Sequence, residues 1–232
     1  MMEPIVVSPP LRGEWNALNC PGDQIPSHDT NEWGMTYAYD FYRLKTGESG
    51  SVSWHNQPRW KYWIGLVRLN HSYSWGEPIH APFDGVVREV VTSVKERTRL
   101  HFIRDVGLAI YNGVFFSYQK GKVEALTGNY LIIEGKQCCS LIAHTQFGSI
   151  KHKVGDLVCC GEIVARLGHS GNSTAPHLHF QLMDRVDIRS AVGIPCAFDN
   201  YSIYKKETWQ PIDKGIPSSS YPIRFPNSSV YV

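Results

Sequence analysis

Apolar positions cluster in six short runs separated by polar, glycine-bearing stretches. The runs are TYAYDFYRL (36–44), DGVVREVV (84–91), NYLIIEG (129–135), CSLIAH (139–144), EIVARLG (162–168) and HLHFQLM (177–183). Their β-branched and aromatic content, and the glycine or asparagine turns bounding several of them, predict strands. LAIYNGVFFS (108–117) reads as a hairpin, with Asn112-Gly113 between two apolar arms. Clean helical periodicity is absent from long segments; the best helical candidate is a short stretch at 184–192. There is no internal repeat and no low-complexity linker. After about residue 205 the chain is rich in proline and serine and is expected to wrap the surface as an extended tail. The pattern predicts a mainly β fold, an antiparallel sheet or sandwich with long loops, in a single domain spanning 1–232.

Composition narrows the class. The 232 residues are 42% hydrophobic and 19% charged, enough for a packed core. A net charge of +2 gives no case for nucleic acid or an anionic membrane as partner. No apolar stretch approaches the roughly 20 residues of a membrane span. The start, MMEPIVVSPPLRGEWN, lacks the basic region and long apolar run of a signal peptide, so sequence alone points to the cytoplasm. Of the six cysteines, the adjacent pairs Cys138-Cys139 and Cys159-Cys160 lack the two-to-four-residue spacing of structural zinc sites. Neighbours on a strand also point to opposite faces. Buried free thiols, and with them a reducing compartment, are the expectation.

The chemistry concentrates in GHSGNSTAPHLHFQLMD (168–184). Pro176 biases Ala175 toward extended backbone, and strand periodicity then puts His177 and His179 on one face, with Leu178 on the other. Two such imidazoles can both bind metal, or one can bind while the other handles protons; a pair of surface histidines on an exposed strand face is the alternative. A catalytic zinc site needs three protein donors and an open position. No HExxH helix is present, so strands must supply the donors. His144 ends LIAH. Asp40 interrupts YAYDF, where a buried carboxylate is costly unless paired or on a metal. His28 lies just upstream in PSHDTNEWG.

The segment LIAH…KVGDLVCCGEIVARLGHSGNSTAPHLHFQL resembles the lysostaphin-type (LytM-like) zinc endopeptidases. It carries an AH strand end, a V-G-x-x-V-x-x-G-x-I turn and strand, a G-x-S-G-x-S-T-x-P turn, and H-L-H-F. APFDGVVREV and GNYLIIEG look like the same family's earlier strands. The resemblance covers roughly 77–183, with an insertion, plus a block at 26–44. It implies a core of about 26–44 and 77–200, an insert at about 92–126 and the tail at 205–232. It also implies one zinc per chain, with His179 as a ligand, and proton-handling or charge-stabilising work for His177 and His144. The remaining ligands of the family are a histidine and an aspartate four positions apart. Here the candidates, His28 and Asp40, are twelve apart, as in a subgroup with a longer loop, S-H-x(11)-D-F.

Among the other residues, His80 reads as structural and Asp84 as a turn residue bonding nearby backbone. His55, His71, His101 and His152 read as solvated, and His169 as a surface residue of its turn. Trp54, Trp60 and Trp63 either wall a groove or pack on the sheet. The implied activity is metal-assisted hydrolysis of peptide bonds in bacterial peptidoglycan, which implies action at the cell wall or outside the cell, in tension with the missing export signal. Two alternatives belong to other classes. One is a degenerate member that binds wall peptide or activates another hydrolase, although such proteins lose ligands that are kept here. The other is a barrel-sandwich carrier domain, which needs an exposed lysine hairpin not found here.

Overall fold

The computed structural model describes residues 3–46, 51–107 and 122–227. Twelve strands form the principal sheet: β1 (Ile5–Val7), β2 (Gly13–Leu18), β3 (Tyr39–Tyr42), β4 (Gly85–Val91), β5 (Asn129–Glu134), β6 (Cys139–Thr145), β7 (Leu157–Val158), β8 (Leu178–Met183), β9 (Gly193–Ile194), β10 (Cys196–Lys205), β11 (Thr208–Gly215) and β12 (Ile223–Phe225). Their order is β1-β10-β12-β2-β3-β8-β6-β5-β4-β7, with β9 beside β8 and β11 beside β10. Every pairing is antiparallel except β1 with β10. The mainly β, antiparallel expectation holds. Five of the six apolar runs contribute to this sheet, and the sixth, Ile163–Arg166, pairs with Pro78–His80 in a two-stranded ribbon.

Alternation sorts the side chains of the central strands. Tyr39 and Phe41 of β3, Leu131 and Ile133 of β5, Ile142 of β6, and Leu178, Phe180 and Leu182 of β8 enter one large core with Phe198 and Phe225. Each such side chain contributes about 1.5–3 kcal/mol on full burial, so this face fixes the register. A one-residue slip would carry all of them to the other side. The opposite face of the same strands carries Asp40, Tyr42, Leu141, Ala143, His179 and Gln181, and they line a cleft. A second apolar cluster, including Trp33, Ile132, Leu141, Ala143, Met183 and Ile188, floors one end of it.

Three local expectations change. Residues 184–192 form turns, not a helix, closed by Ser190 N–H on Asp187 O and Ala191 N–H on Ile188 O. The stretch after 205 is only partly a surface tail. β11 pairs along β10, and β12 joins β10 to β2, burying Ile223 and Phe225 in the core. Pro217, Pro222 and Pro226 flank the strands and Pro211 sits within the edge strand β11, places that proline tolerates, and together they masked the strand pattern. The hairpin at 108–117 lies outside the described residues. No helix among the described residues is long and apolar enough to cross a membrane.

Candidate metal centre and its histidine pair

β3 and β8 pair with His179 directly opposite Asp40. Both side chains therefore leave the sheet on the cleft face, and His179 Nδ1 lies 3.0 Å from Asp40 Oδ1. His28 arrives from the loop before β3 and places its Nε2 3.2 Å from Asp40 Oδ2. Asn19, at the end of β2, donates its amide to Asp40 Oδ2 at 3.0 Å. The ligand atoms of His28, Asp40 and His179 all lie within 4.8 Å of one another.

The outer nitrogens of the two imidazoles fix their tautomers. Gln181 donates its amide to Trp33 O at 2.7 Å, so its oxygen accepts the N–H of His179 Nε2 at 2.9 Å. Ser27 donates its hydroxyl to Ala38 O at 2.8 Å and so accepts the N–H of His28 Nδ1 at 3.0 Å. Each ring is left with a lone pair on the nitrogen that faces Asp40. His28 Nε2 is buried without a hydrogen-bond partner. Two lone pairs thus converge on a carboxylate, an arrangement that only positive charge between them stabilises: protons on the rings or a metal cation. Burial alone would raise the Asp40 carboxyl, but the positive charge that His28 and His177 carry when protonated outweighs it and holds the carboxyl well below the usual carboxylate range. The donor set, two imidazoles and a carboxylate, fits zinc with a position left open. Gly34 lets the loop close over this point, because a Cβ there would sit 2.9 Å from both the Gln181 amide and Met183 Cγ.

His144 and His177 stand beside the three. Their ring centroids are 4.6 Å apart, and His144 lies 6.0 Å from His179. Strand alternation puts Ala143, opposite His179, on the cleft face and should send His144 away. The chain instead turns at His144, whose φ is +57°. This conformation costs a non-glycine residue about 1–2 kcal/mol and brings both side chains to the cleft. His144 Nδ1–H donates to Ser170 O at 2.9 Å, and His177 Nδ1–H to Ala175 O at 2.8 Å. Each therefore keeps an unprotonated Nε2, that of His177 lying 3.5 Å from Asp40 Oδ1. Tyr42 stacks on the His177 ring at 4.7 Å. Burial, followed by the neighbouring rings of His177 and His179, holds His144 neutral well below the ordinary imidazole range. The whole cleft encloses about 290 Å³.

His28, Asp40, His144, His177 and His179 are thus all brought together. Three other expectations are corrected. His169 is fully buried, and His55 is 4% exposed beside Trp54 and Tyr62. For His169, polar sequence neighbours concealed a packing that comes from distant residues. His80 bonds Gly161 O at 2.9 Å, and Asp84 accepts from Cys160 N, across the fold and not nearby in sequence. His152 pairs with Glu162 at 2.9 Å. Trp54 packs on Val67, Leu69 and Leu100, while Trp60 and Trp63 are about half exposed; none of the three lines the cleft. None of the six cysteines is in a disulfide, and four of them are buried. Gln181, Asn19 and Ser27 escaped the sequence reading. For Gln181 the signal was present: it extends the period of His177 and His179 by one step.

The family model of peptidase family M23 matches residues 68–190, more than half of the chain, and the chain belongs to that family. The matched segment holds His144, His177 and His179; His28 and Asp40 precede it. Among solved structures, the chain is similar to the catalytic domain of the antimicrobial peptidase lysostaphin from Staphylococcus simulans, at 18% identity and TM-score 0.38, covering 82% of this chain and 85% of that one. A mutant catalytic domain of the prophage-encoded M23 protein EnpA from Enterococcus faecalis is similar at 22% identity and TM-score 0.34, covering 52% and 68%. A longer lysostaphin structure from the same staphylococcus is similar at 21% identity and TM-score 0.34, covering 66% of this chain but only 47% of that one. No curated protein matches the chain.

Proposed function

We propose that this M23 peptidase is a zinc-dependent endopeptidase, with one zinc per chain, that hydrolyses peptide bonds in the peptide part of bacterial peptidoglycan and so acts at the cell wall. The observation that carries the metal is the convergence of His28 Nε2 and His179 Nδ1, both with their lone pairs inward, on the buried Asp40 carboxylate. The family supplies peptide hydrolysis, and the wall is the substrate class implied by the motif resemblance. When bound, zinc supplies a Lewis acid for the scissile carbonyl and acidifies water toward neutral pH.

The chain's own residues do the rest. Asn19 and Gln181 hold Asp40 and His179 in place, as outer partners of metal ligands do. His144 and His177 face the cleft with basic Nε2 atoms, their Nδ1–H groups tied to backbone carbonyls. One takes a proton from the attacking water and returns it to the leaving amine. The other, drawing a proton from solvent as negative charge develops on the carbonyl oxygen, holds that charge. No carboxylate other than Asp40 lines the cleft among the described residues, so this work falls to the imidazoles.

The test is digestion of purified peptidoglycan and of a glycine-rich peptide by the zinc-loaded chain, with free amines counted and products identified by mass. New amines that vanish with chelator and return with zinc support the reading. A zinc-loaded chain that releases none from either substrate contradicts it.

A further inference from the structure

The insert after β4 carries buried charge that the cleft chemistry leaves unused. Asp105 is fully buried and holds Arg97 Nε at 3.3 Å, Arg104 Nε at 3.0 Å and the backbone N–H of His101 at 2.8 Å. Arg97 in turn reaches into the concave side of the turn that precedes β8. It donates to Gly171 O at 3.2 Å, to Ser173 O at 2.7 Å and to His169 Nε2 at 3.1 Å. The adjacent Glu96 accepts the His169 backbone N–H at 2.6 Å.

We propose that Arg97 is a positioning residue for His177, acting through His169 and Ser173. The inference rests on the proton-handling role proposed above for His177. Guanidinium only donates, so His169 Nε2 must accept and His169 Nδ1 must carry the proton. That Nδ1–H donates to Ser173 Oγ at 3.0 Å. The Ser173 hydroxyl then directs its own proton to Ala175 O at 2.7 Å and keeps a lone pair toward His177 Nδ1 at 3.2 Å. His177 Nδ1–H, donated back to Ala175 O at 2.8 Å, completes the chain, the protons from its two sides converging on that carbonyl. Its end is a His177 ring whose Nε2 is bare and faces the cleft. If His169 took its other tautomer, its Nδ1 would draw the Ser173 proton away from Ala175 O and loosen that end. The insert thus fastens the GHSGNST turn from behind, and Asp105 keeps the guanidinium aimed.

The experiment compares the full chain with Arg97→Lys, Arg97→Met and Ser173→Ala. Zinc content, kcat and KM on a cleaved peptide, and long-range proton–nitrogen NMR of 15N-labelled histidines are measured for each. In the parent, His177 is expected to show a protonated Nδ1 and a bare Nε2. Ser173→Ala and Arg97→Lys should keep zinc and KM, lose about 10- to 100-fold in kcat, as outer partners of a working imidazole do, and show mixed His177 tautomers. Lysine, with one compact ammonium in place of a fork, should recover only part of what methionine loses. If Arg97→Met fails to fold, the other two variants decide. Unchanged His177 nitrogen shifts and parent kcat in both overturn the proposal. So does loss of zinc together with turnover, which makes the chain of bonds a support of the fold alone. If the parent cleaves nothing but its His177 tautomer shifts in the variants, the peptidase reading falls and the positioning role stands.

Discussion

Replacing Gln181 by leucine should weaken zinc binding at least as much as it weakens the fold. Gln181 is 1% exposed and makes two bonds, from its amide to Trp33 O and from His179 Nε2–H to its oxygen. Leucine leaves both partners buried and unsatisfied, at about 1–3 kcal/mol each. The apolar side chain regains about 1.5–3 kcal/mol by its own burial beside Trp33 and Met183. The net loss of fold stability is therefore about 1–2 kcal/mol. The metal responds separately, because His179 loses the contact that fixes its tautomer and aims Nδ1. Outer partners of this kind are worth about 10- to 100-fold in metal affinity, or about 1.4–2.7 kcal/mol. Gln181→Glu divides the two roles. Its carboxylate still accepts from His179 Nε2–H but cannot donate to Trp33 O, so zinc affinity should stay within a few-fold of the parent while stability drops. The assay is zinc competition against a chromophoric chelator, alongside urea unfolding of the metal-free chain. Parent-like zinc affinity in Gln181→Leu, or equal weakening in both variants, refutes the tautomer argument.

Ligands and proton handlers should separate: His179→Ala loses zinc, whereas His144→Ala and His177→Ala keep it and lose about a hundred- to ten-thousand-fold in rate. Elemental analysis beside peptide hydrolysis checks this, and equal zinc loss in all three would reject the division. Burial, followed by the Arg97 charge, depresses His169 from 6.5 to about 2. Below pH 6.5 the unfolded chain therefore binds a proton that the folded chain refuses, so stability is full above pH 6.5 and falls as pH drops toward 2. At pH 5 this costs about 2 kcal/mol, with His55, His80 and His144 acting in the same direction. Urea unfolding at pH 7.5 and pH 5 should show a smaller acid loss in His169→Gln, and an unchanged loss counts against it. Burial, aided by Asp23, pushes the Cys20 thiol up to about 12, and burial pushes Cys138 to about 12 and Cys139 to about 11, while Cys159 is exposed. Brief alkylation of the folded chain at pH 8 should mark Cys159 first by peptide mass mapping; early labelling of Cys20 would contradict its burial.

The strands nearest the cleft were legible because each buries one face. Tyr39, Phe41, Leu178 and Phe180 announce themselves as period-2 apolar positions, and Asp40 and His179 stand out against them. Opposition of Asp40 and His179 was not legible, since register between strands 139 positions apart is set by the packed fold. His144 reached the site by breaking the alternation that reveals strands, through a positive φ that no sequence period records. His28 was placed by its resemblance to a loop pattern, and its aim comes from Ser27. His169 was misread because the partners that bury it, Arg97 and Glu96, come from an insert more than seventy positions away. The C-terminal strands were missed because proline and serine at their borders outweighed short apolar stretches such as Ile223–Phe225.

The central claim is that His28, Asp40 and His179 hold one metal ion. Elemental analysis of the full chain, dialysed against zinc and then against metal-free buffer, tests it directly when Asp40→Ala is carried through the same steps. The account predicts one zinc per parent chain and essentially none in the variant. A parent that retains no zinc, or a variant that retains a full equivalent, contradicts it.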